Sequence, residues 1–304
     1  MNIIYIGNFQ PSHSTENHVA RSLEVLGHKI LRLQENLISF DEIEERSPDN
    51  KFILYTRTWN NIKGNSKEWL RIKTLPLVGF SLDIWIGLYR EREVDSQLFF
   101  KSDYLFTADG GHQSSFTDRG IKHFWLQPGV LKDECYIALV DSAYAYDIIF
   151  VGSYRYHREY SERMHLIDFL KKIYGSRFKY FSHNSGMRGT RLNRLYASSK
   201  IVVGDSLDSP YYWSDRIPET LGRGGFLLHP QTKGLDDYFI PHVHYMPYIR
   251  YDHNNLKKTI DTCLDKPEIC LAIRKQGHEH VKKNHTYINR MQEMLSVLKS
   301  EGVI

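Results

Sequence analysis

Short apolar runs alternate with helix-period segments from the first residues onward: NIIYIGN, ENHVARSLEVLGHK, ILRL, KFILYTR, PLVGFSLD, YLFTADG and HFWLQPG. A short apolar run closed by a turn residue suits a strand buried on both faces, and interleaved helices are what joins such strands in parallel. Ile3 to Ile6 end in Gly7-Asn8, and the following helix shows Val19, Leu23 and Leu26 on one face before Gly27 stops it. The stretch 131–147 has no clear period and precedes a strong strand, DIIFVGS, so the domain boundary is expected after residue 146. A second series follows: a helix with Met164, Ile167 and Leu170 at helical spacing, the strand RFKYFS, the helix RLNRLYASSK, and the strands KIVVGDS and FLLHP. The segments after Asn254 read as helices, the last of them Tyr287 to Lys299. No internal repeat or low-complexity segment interrupts the pattern. The fold class is therefore α/β, with two Rossmann-like doubly wound domains over 1–146 and 147–286 facing each other across a cleft, and a C-terminal helix, 287–304, packing back on the first.

Composition narrows the class of protein. The 304 residues, 41 % hydrophobic and 25 % charged, are enough for two domains of about 150 residues and exclude a disordered chain. The aromatic content of 13 %, with 20 tyrosines, suits sites that stack rings or bind hydroxylated ligands. A net charge of +4 accommodates a phosphate-bearing ligand without demanding a nucleic-acid surface, and the basic residues Arg57, Lys63, Lys67, Arg71 and Lys73 are too scattered to form one. Cys135, Cys263 and Cys270 are odd in number and form no CxxC pair, which points to a reducing compartment. With no basic leader and no uncharged run of about 18 residues, a soluble cytoplasmic protein without a membrane span is expected.

Two stretches carry chemistry. In VGSYRYHREYSERM, Gly152 permits close backbone approach, Ser153 offers a hydroxyl, and Arg155, Arg158 and Arg163 offer forked donors, a set suited to a diphosphate. The stretch matches neither GxGxxG nor GxxxxGK[ST], which disfavours hydride-transfer dinucleotides and ATP hydrolysis. In SDRIPETLGRGGFLLHP, Ser214 reads as a helix cap and Gly222, Gly224 and Gly225 as a stop, so the stretch could be helix punctuation alone. If the helix starts at the ligand, Glu219 one turn in can accept hydrogen bonds from vicinal sugar hydroxyls. Ligands in open α/β sheets sit beyond the carboxyl ends of strands, which puts Gly7, Asn8, Asp83 and the loop Asp109-Gly110-Gly111-His112 along one candidate edge.

The segments DIIFVGS…R, LYASSKIVVGDS, YYWSDRIPETLGRGGFLLHPQTKGLDDYF and AIRKQGHEHVKKNHTYINRM together resemble the C-terminal domain of GT-B glycosyltransferases, in the branch of the spore-maturation-type proteins. The resemblance runs over about residues 147–292, and its specific part is the SDRxxExxxxGG core with a later HTYxxR. It implies a nucleotide-diphosphate-sugar donor (a UDP- or GDP-sugar), an acceptor hydroxyl of undefined identity, and no essential cofactor. It also implies that Glu219 holds the donor ribose and that the Ser214–Thr220 helix start lies by the diphosphate, with Gly152, Ser153 and Arg158 on its other side. The donor-binding candidates are Gly7, Asn8, Gly152, Ser153, Arg158, Ser214, Asp215, Arg216, Glu219 and Thr220. Many retaining members carry a second glutamate eight positions earlier, where this chain has Tyr211, so the sugar contact is open. The candidate catalytic groups are His112 in the glycine loop and Asp83 at a strand end. His285 and Arg290 of HTYxxR read better as domain packing, and no DxD pair is placed to hold a metal. A nucleotide-sugar epimerase and a non-catalytic nucleotide-sugar or glycan-binding protein are the competing readings; a nucleic-acid acceptor such as a modified DNA base is compatible but not favoured.

Overall fold

The computed structural model describes residues 1–56, 62–156 and 160–304. The chain divides into two compact units, Met1–Gln127 with Tyr287–Ile304, and Pro128–Thr286.

In the first unit the strands are β1 (Asn2–Gly7), β2 (Lys29–Gln34), β3 (Ile53–Thr56), β4 (Leu77–Ser81), β5 (Tyr104–Thr107) and β6 (His123–Trp125), and the helices between them are α1 (Thr15–Val25), α2 (Phe40–Glu45), α3 (Ser66–Ile72) and α4 (Gln113–Thr117). All pairings are parallel, in the order β2-β1-β3-β4-β5-β6. Both β3 and β4 are buried at every residue, as strands covered by helices on two faces must be, while edge strand β2 is largely open to solvent and buries only Leu33. The order reverses between β1 and β3, the switch point at which such sheets open a crevice.

The second unit contains β7 (Ile148–Val151), α5 (Glu162–Tyr174), β8 (Phe178–Phe181), α6 (Gly189–Ser198), β9 (Ile201–Val203), α7 (Arg216–Gly222), β10 (Leu227–Pro230), β11 (Met246–Tyr248), α8 (His253–Asp265) and α9 (Pro267–Asn284). Its parallel sheet has the order β11-β10-β9-β7-β8, with its switch point between β7 and β9. The last helix, α10 (Tyr287–Ser300), belongs to the first unit, where Tyr287, Met291, Met294 and Leu298 join the core formed by Val19, Ala20 and Leu23 of α1. Each fully buried apolar side chain in that layer stabilises the unit by about 1.5–3 kcal/mol.

Two doubly wound parallel sheets are what the alternation predicts, and three local readings change. The boundary lies after Gln127 rather than after residue 146, because residues 130–141 are tied into the second unit. Asn193 on α6 donates to the carbonyls of Glu134 and Tyr136, Ser198 accepts from the Asp141 N–H, and Val130 bridges Thr286. Strand β11 has no counterpart in the sequence reading: it is three residues long, contains Pro247, and lies at an edge, where a missing ladder donor is tolerated. Finally, α7 is not capped by Ser214, whose hydroxyl points back to the Asp205 carbonyl; Asp215 occupies the cap position without a side-chain bond. Its other end follows the glycine reading, with Gly224 at φ +76° and the N–H groups of Gly224 and Gly225 returning to Leu221 and Thr220 in a Schellman closure.

Candidate functional site

The switch point of the second unit is built around one buried carboxylate. Asp205 follows β9 and is 1 % exposed; its Oδ2 accepts from Arg163 Nε at 2.7 Å and its Oδ1 from Arg216 Nη1 at 3.3 Å. Arg163 lies on the inward face of α5 with Leu166, Ile167 and Leu170, so the charge is buried in the second unit and requires its acid. Arg163 also packs over the Tyr156 ring at 4.2 Å and reaches the Ser153 carbonyl at 3.5 Å, which fixes the backbone after β7. Arg216, the first residue of α7, donates Nε to the Val151 carbonyl at 3.1 Å and lies 17 % exposed. Its guanidinium fills the space above Gly152, whose φ of +145° and missing Cβ are both required there. Two guanidiniums against one carboxylate leave a net positive charge at the crevice, which suits an anion.

One turn along α7, Glu219 Oε2 accepts from Arg223 Nε at 2.5 Å. Arg223 is itself buried, and it bonds Glu134 and, at 2.5 Å, the Asn193 side-chain oxygen. Glu219 stays 18 % exposed. Its orientation is therefore set by an internal arginine network rather than by a ligand. Thr220 is buried with its methyl toward Gly225, Ser214 is buried, and Asp215 is exposed. Arg158 lies outside the described residues. Tyr211, at the position of the second family glutamate, has φ +50° and packs its ring against Gly234, so it supports the loop instead of offering a carboxylate.

In the first unit, the loop after β5 is rigidly held. The Asp109 N–H donates to Thr107 Oγ1 at 3.1 Å, and the Thr107 hydroxyl lies 2.8 Å from His123 Nε2. His123 Nδ1 bonds Gln113 Oε1 at 2.5 Å, and Gln113 returns a bond to the His123 carbonyl at 2.8 Å. Burial lowers the His123 pKa to about 4, so the ring is neutral and this chain of donors and acceptors has one consistent assignment. Gly110 lets the Trp125 ring lie against the loop, whose Ala108 carbonyl accepts from Trp125 Nε1 at 3.2 Å. On this frame the fully buried Asp109 accepts from His112 Nδ1 at 2.7 Å. The carboxylate fixes the tautomer with its proton on Nδ1 and leaves Nε2 as a base, and the bond raises the His112 pKa above its ordinary value against the opposing effect of burial. The ring is 28 % exposed.

The other sequence-derived candidates in this unit are engaged internally. Asp83, in the loop after β4, pairs with Arg90 at 3.4 Å and accepts no bond from His112 among the described residues. Asn8 uses its side chain to accept from Gln10 and Gln34. Its N–H, with the Ser14 hydroxyl, bonds Glu16, a carboxylate lodged against Gly7 whose burial raises its pKa. A carboxylate of the chain thus takes the amide of Asn8, a residue that the sequence reading places among the donor-binding candidates. Of the scattered basic residues, Lys73 is paired with Asp103 and Arg57 lies outside the described residues. Among the described residues no helix is long and apolar enough to cross a membrane.

Sequence reasoning missed three members of these clusters. Asp205 was visible only as the acid near the end of KIVVGDS, Asp109 only as part of a glycine loop, and Glu16 only as the polar face of an amphipathic helix. A signal existed for Asp109 alone, because an acid three residues before a histidine is within reach across a tight turn.

Residues 152–296 match the model of a family described as glycosyl transferase-like. No curated protein sequence matches the chain. Among solved structures, HepE from Anabaena in complex with UDP and glucose aligns at 11 % identity over 99 % of this chain and 100 % of its own, with a TM-score of 0.68. An α-glucosyltransferase in complex with UDP-glucose and DNA containing an abasic site aligns at 9 % identity over 98 % of each chain, with a TM-score of 0.72. A glycosyltransferase from Rickettsia africae aligns at 14 % identity over 98 % of each chain, with a TM-score of 0.67. The two sheets are those of the GT-B architecture, and the matched stretch resembles a glycosyltransferase domain.

Proposed function

We propose that this chain transfers a sugar from a nucleotide-diphosphate donor, of the UDP-sugar type, to an acceptor hydroxyl. The observation that carries the reading is the cationic crevice of Gly152, Arg216, Arg163 and Asp205 at the switch point of the glycosyltransferase domain. The UDP and UDP-glucose bound by HepE and by the α-glucosyltransferase support the choice of donor.

In this reading the diphosphate lies against Arg216, which offers the exposed part of its guanidinium while Asp205 and the Val151 carbonyl hold the rest. Charge builds up on the departing diphosphate as the glycosidic bond breaks, and a preorganised arginine stabilises it without reorganisation cost. Glu219 accepts from the vicinal hydroxyls of the ribose, preset by Arg223. His112, aligned by Asp109, takes the proton of the acceptor hydroxyl through Nε2. Ser153, Ser214, Asp215 and Thr220 belong to the crevice of the second unit, Gly7 and Asn8 to the loop of the first unit that Glu16 engages, and Asp83 has no role in the chemistry. A transferase is favoured over an epimerase because one oriented base, not acid-base groups for two faces of the sugar, stands out among the described residues. The spore-maturation-type branch is the finer family assignment that the SDRxxExxxxGG core supports.

The test is Glu219→Ala, read by calorimetric titration with UDP. Losing hydrogen bonds to a charged acceptor costs about 1.5–3 kcal/mol, so UDP affinity falls by roughly 10- to 100-fold. The fold persists, because Arg223 keeps Glu134 and Asn193. Unchanged affinity in a folded variant would sink the ribose role.

A further inference from the structure

Cys263 near the end of α8 and Cys270 in the first turns of α9 stand on either side of the Lys266–Pro267 junction. Both are free thiols, 5 % and 8 % exposed. The Cys270 thiol donates to the Cys263 carbonyl at 3.3 Å, which brings the two residues together across the junction. Both line one cavity of about 230 Å³, together with Phe226, Pro267, Leu271 and Arg274; Leu271 is 62 % exposed, so a small solute can reach the sulfurs. Cys135 provides an internal contrast: it is 4 % exposed, and burial pushes its thiol up to about 11.

The helix that bears Cys270 also braces α7. Arg274, one turn further along the same face, donates Nη2 to the Tyr196 carbonyl at 2.7 Å and Nε to the Gly224 carbonyl. His278 Nδ1 lies 2.9 Å from the Gly222 carbonyl, and Gly277 is pressed against the His244 carbonyl and Leu221. Any change that draws the start of α9 toward α8 pulls on the closing turn of α7.

We propose that Cys263 and Cys270 form a peroxide-oxidisable pair, and that its disulfide loosens the hold of α9 on α7. The neighbouring Cys263 side chain lowers the Cys270 pKa, so Cys270 is written as the nucleophile. Its thiolate attacks one peroxide oxygen; the O–O bond breaks, hydroxide leaves and takes up the thiol proton as water, and Cys270 becomes a sulfenic acid. The Cys263 sulfur then attacks the Cys270 sulfur, the S–O bond breaks, and a second water leaves with the Cys263 proton. Two thiols and one peroxide give one disulfide and two waters. Formation of this link does not depend on the proposed transferase activity; its effect on donor binding does, because α7 carries Glu219.

The experiment treats the full chain with hydrogen peroxide, maps its peptides without reduction, and follows amide exchange by mass spectrometry. The expected result is loss of two of the three thiols, a cross-linked Cys263–Cys270 peptide, and several-fold faster exchange over residues 216–224, all reversed by dithiothreitol. Peroxide-treated Cys263→Ser shows no acceleration. Unaltered thiols, consumption of Cys135, or sulfinic acid without a cross-link would overturn the pair. A cross-link with unchanged exchange in α7 would overturn the coupling. Should Cys263→Ser fail to fold, the peptide map and exchange of the unmutated chain still decide both points.

Discussion

Replacing His112 by alanine is expected to lower the rate of sugar transfer by about 10²–10⁴-fold while leaving UDP affinity within a factor of about two, because the histidine acts on the acceptor proton and not on the donor. The pH profile separates this role from a structural one. Since the Asp109 bond raises the His112 pKa, and since the base must be neutral, the acid limb of the rate profile has its midpoint above 6.5. Asp109→Asn removes that carboxylate, so the limb moves down in pH even though the side chain keeps its shape. Steady-state rates between pH 5 and 9 with the two variants check both statements, and a His112→Ala enzyme with an unaltered rate would dispose of the assignment. The stabilisation from the same pair runs the other way. A raised folded-state pKa contributes stability that is complete below about 6.5 and is lost as pH rises through the folded value.

The second large effect is on stability. Asp205→Ala leaves Arg163 charged and buried in the second unit, and removing one partner of such a pair costs about 3–5 kcal/mol. Urea unfolding followed by far-ultraviolet circular dichroism should show the loss. Pairing the change with Arg163→Met removes the stranded charge as well and should recover most of it, since an apolar replacement of a buried pair is close to neutral. Arg216 loses its carboxylate partner in both variants and keeps only the Val151 carbonyl, so UDP affinity stays depressed in the double variant even where stability returns. A single variant destabilised by less than about 1 kcal/mol would mean that Arg163 finds another partner or reaches water.

The contrast between these two sites explains what the sequence could and could not disclose. Strands such as Ile3–Ile6 and Ile148–Val151 are legible because a parallel strand covered on both faces must be apolar throughout, and that requirement is written in consecutive residues. The turn at Gly152 and the helix start at Arg216 are legible because a glycine turn and a basic helix start each have a local signature. Their relation to one another is not, since the guanidinium above Gly152 comes from 64 residues further along the chain. Arg163 shows the same limit. The sequence reading takes it as a forked donor for a diphosphate, and only the fold brings Asp205, separated from it by 42 positions, against its guanidinium. Strand β11 was lost for a different reason: three residues with a central proline have neither period nor propensity to detect.

The return of α10 to the first unit has a consequence for the order in which the protein is made. Residues 128–286 are contiguous, so the second unit can complete its sheet as soon as it leaves the ribosome. The first unit is synthesised earlier yet finishes later, because Met291, Met294 and Leu298 are part of the layer that covers Val19 and Leu23. Until residues 287–304 emerge, the nascent chain carries an unsealed apolar face on α1, a surface that a holding chaperone would recognise and that the arrival of α10 closes.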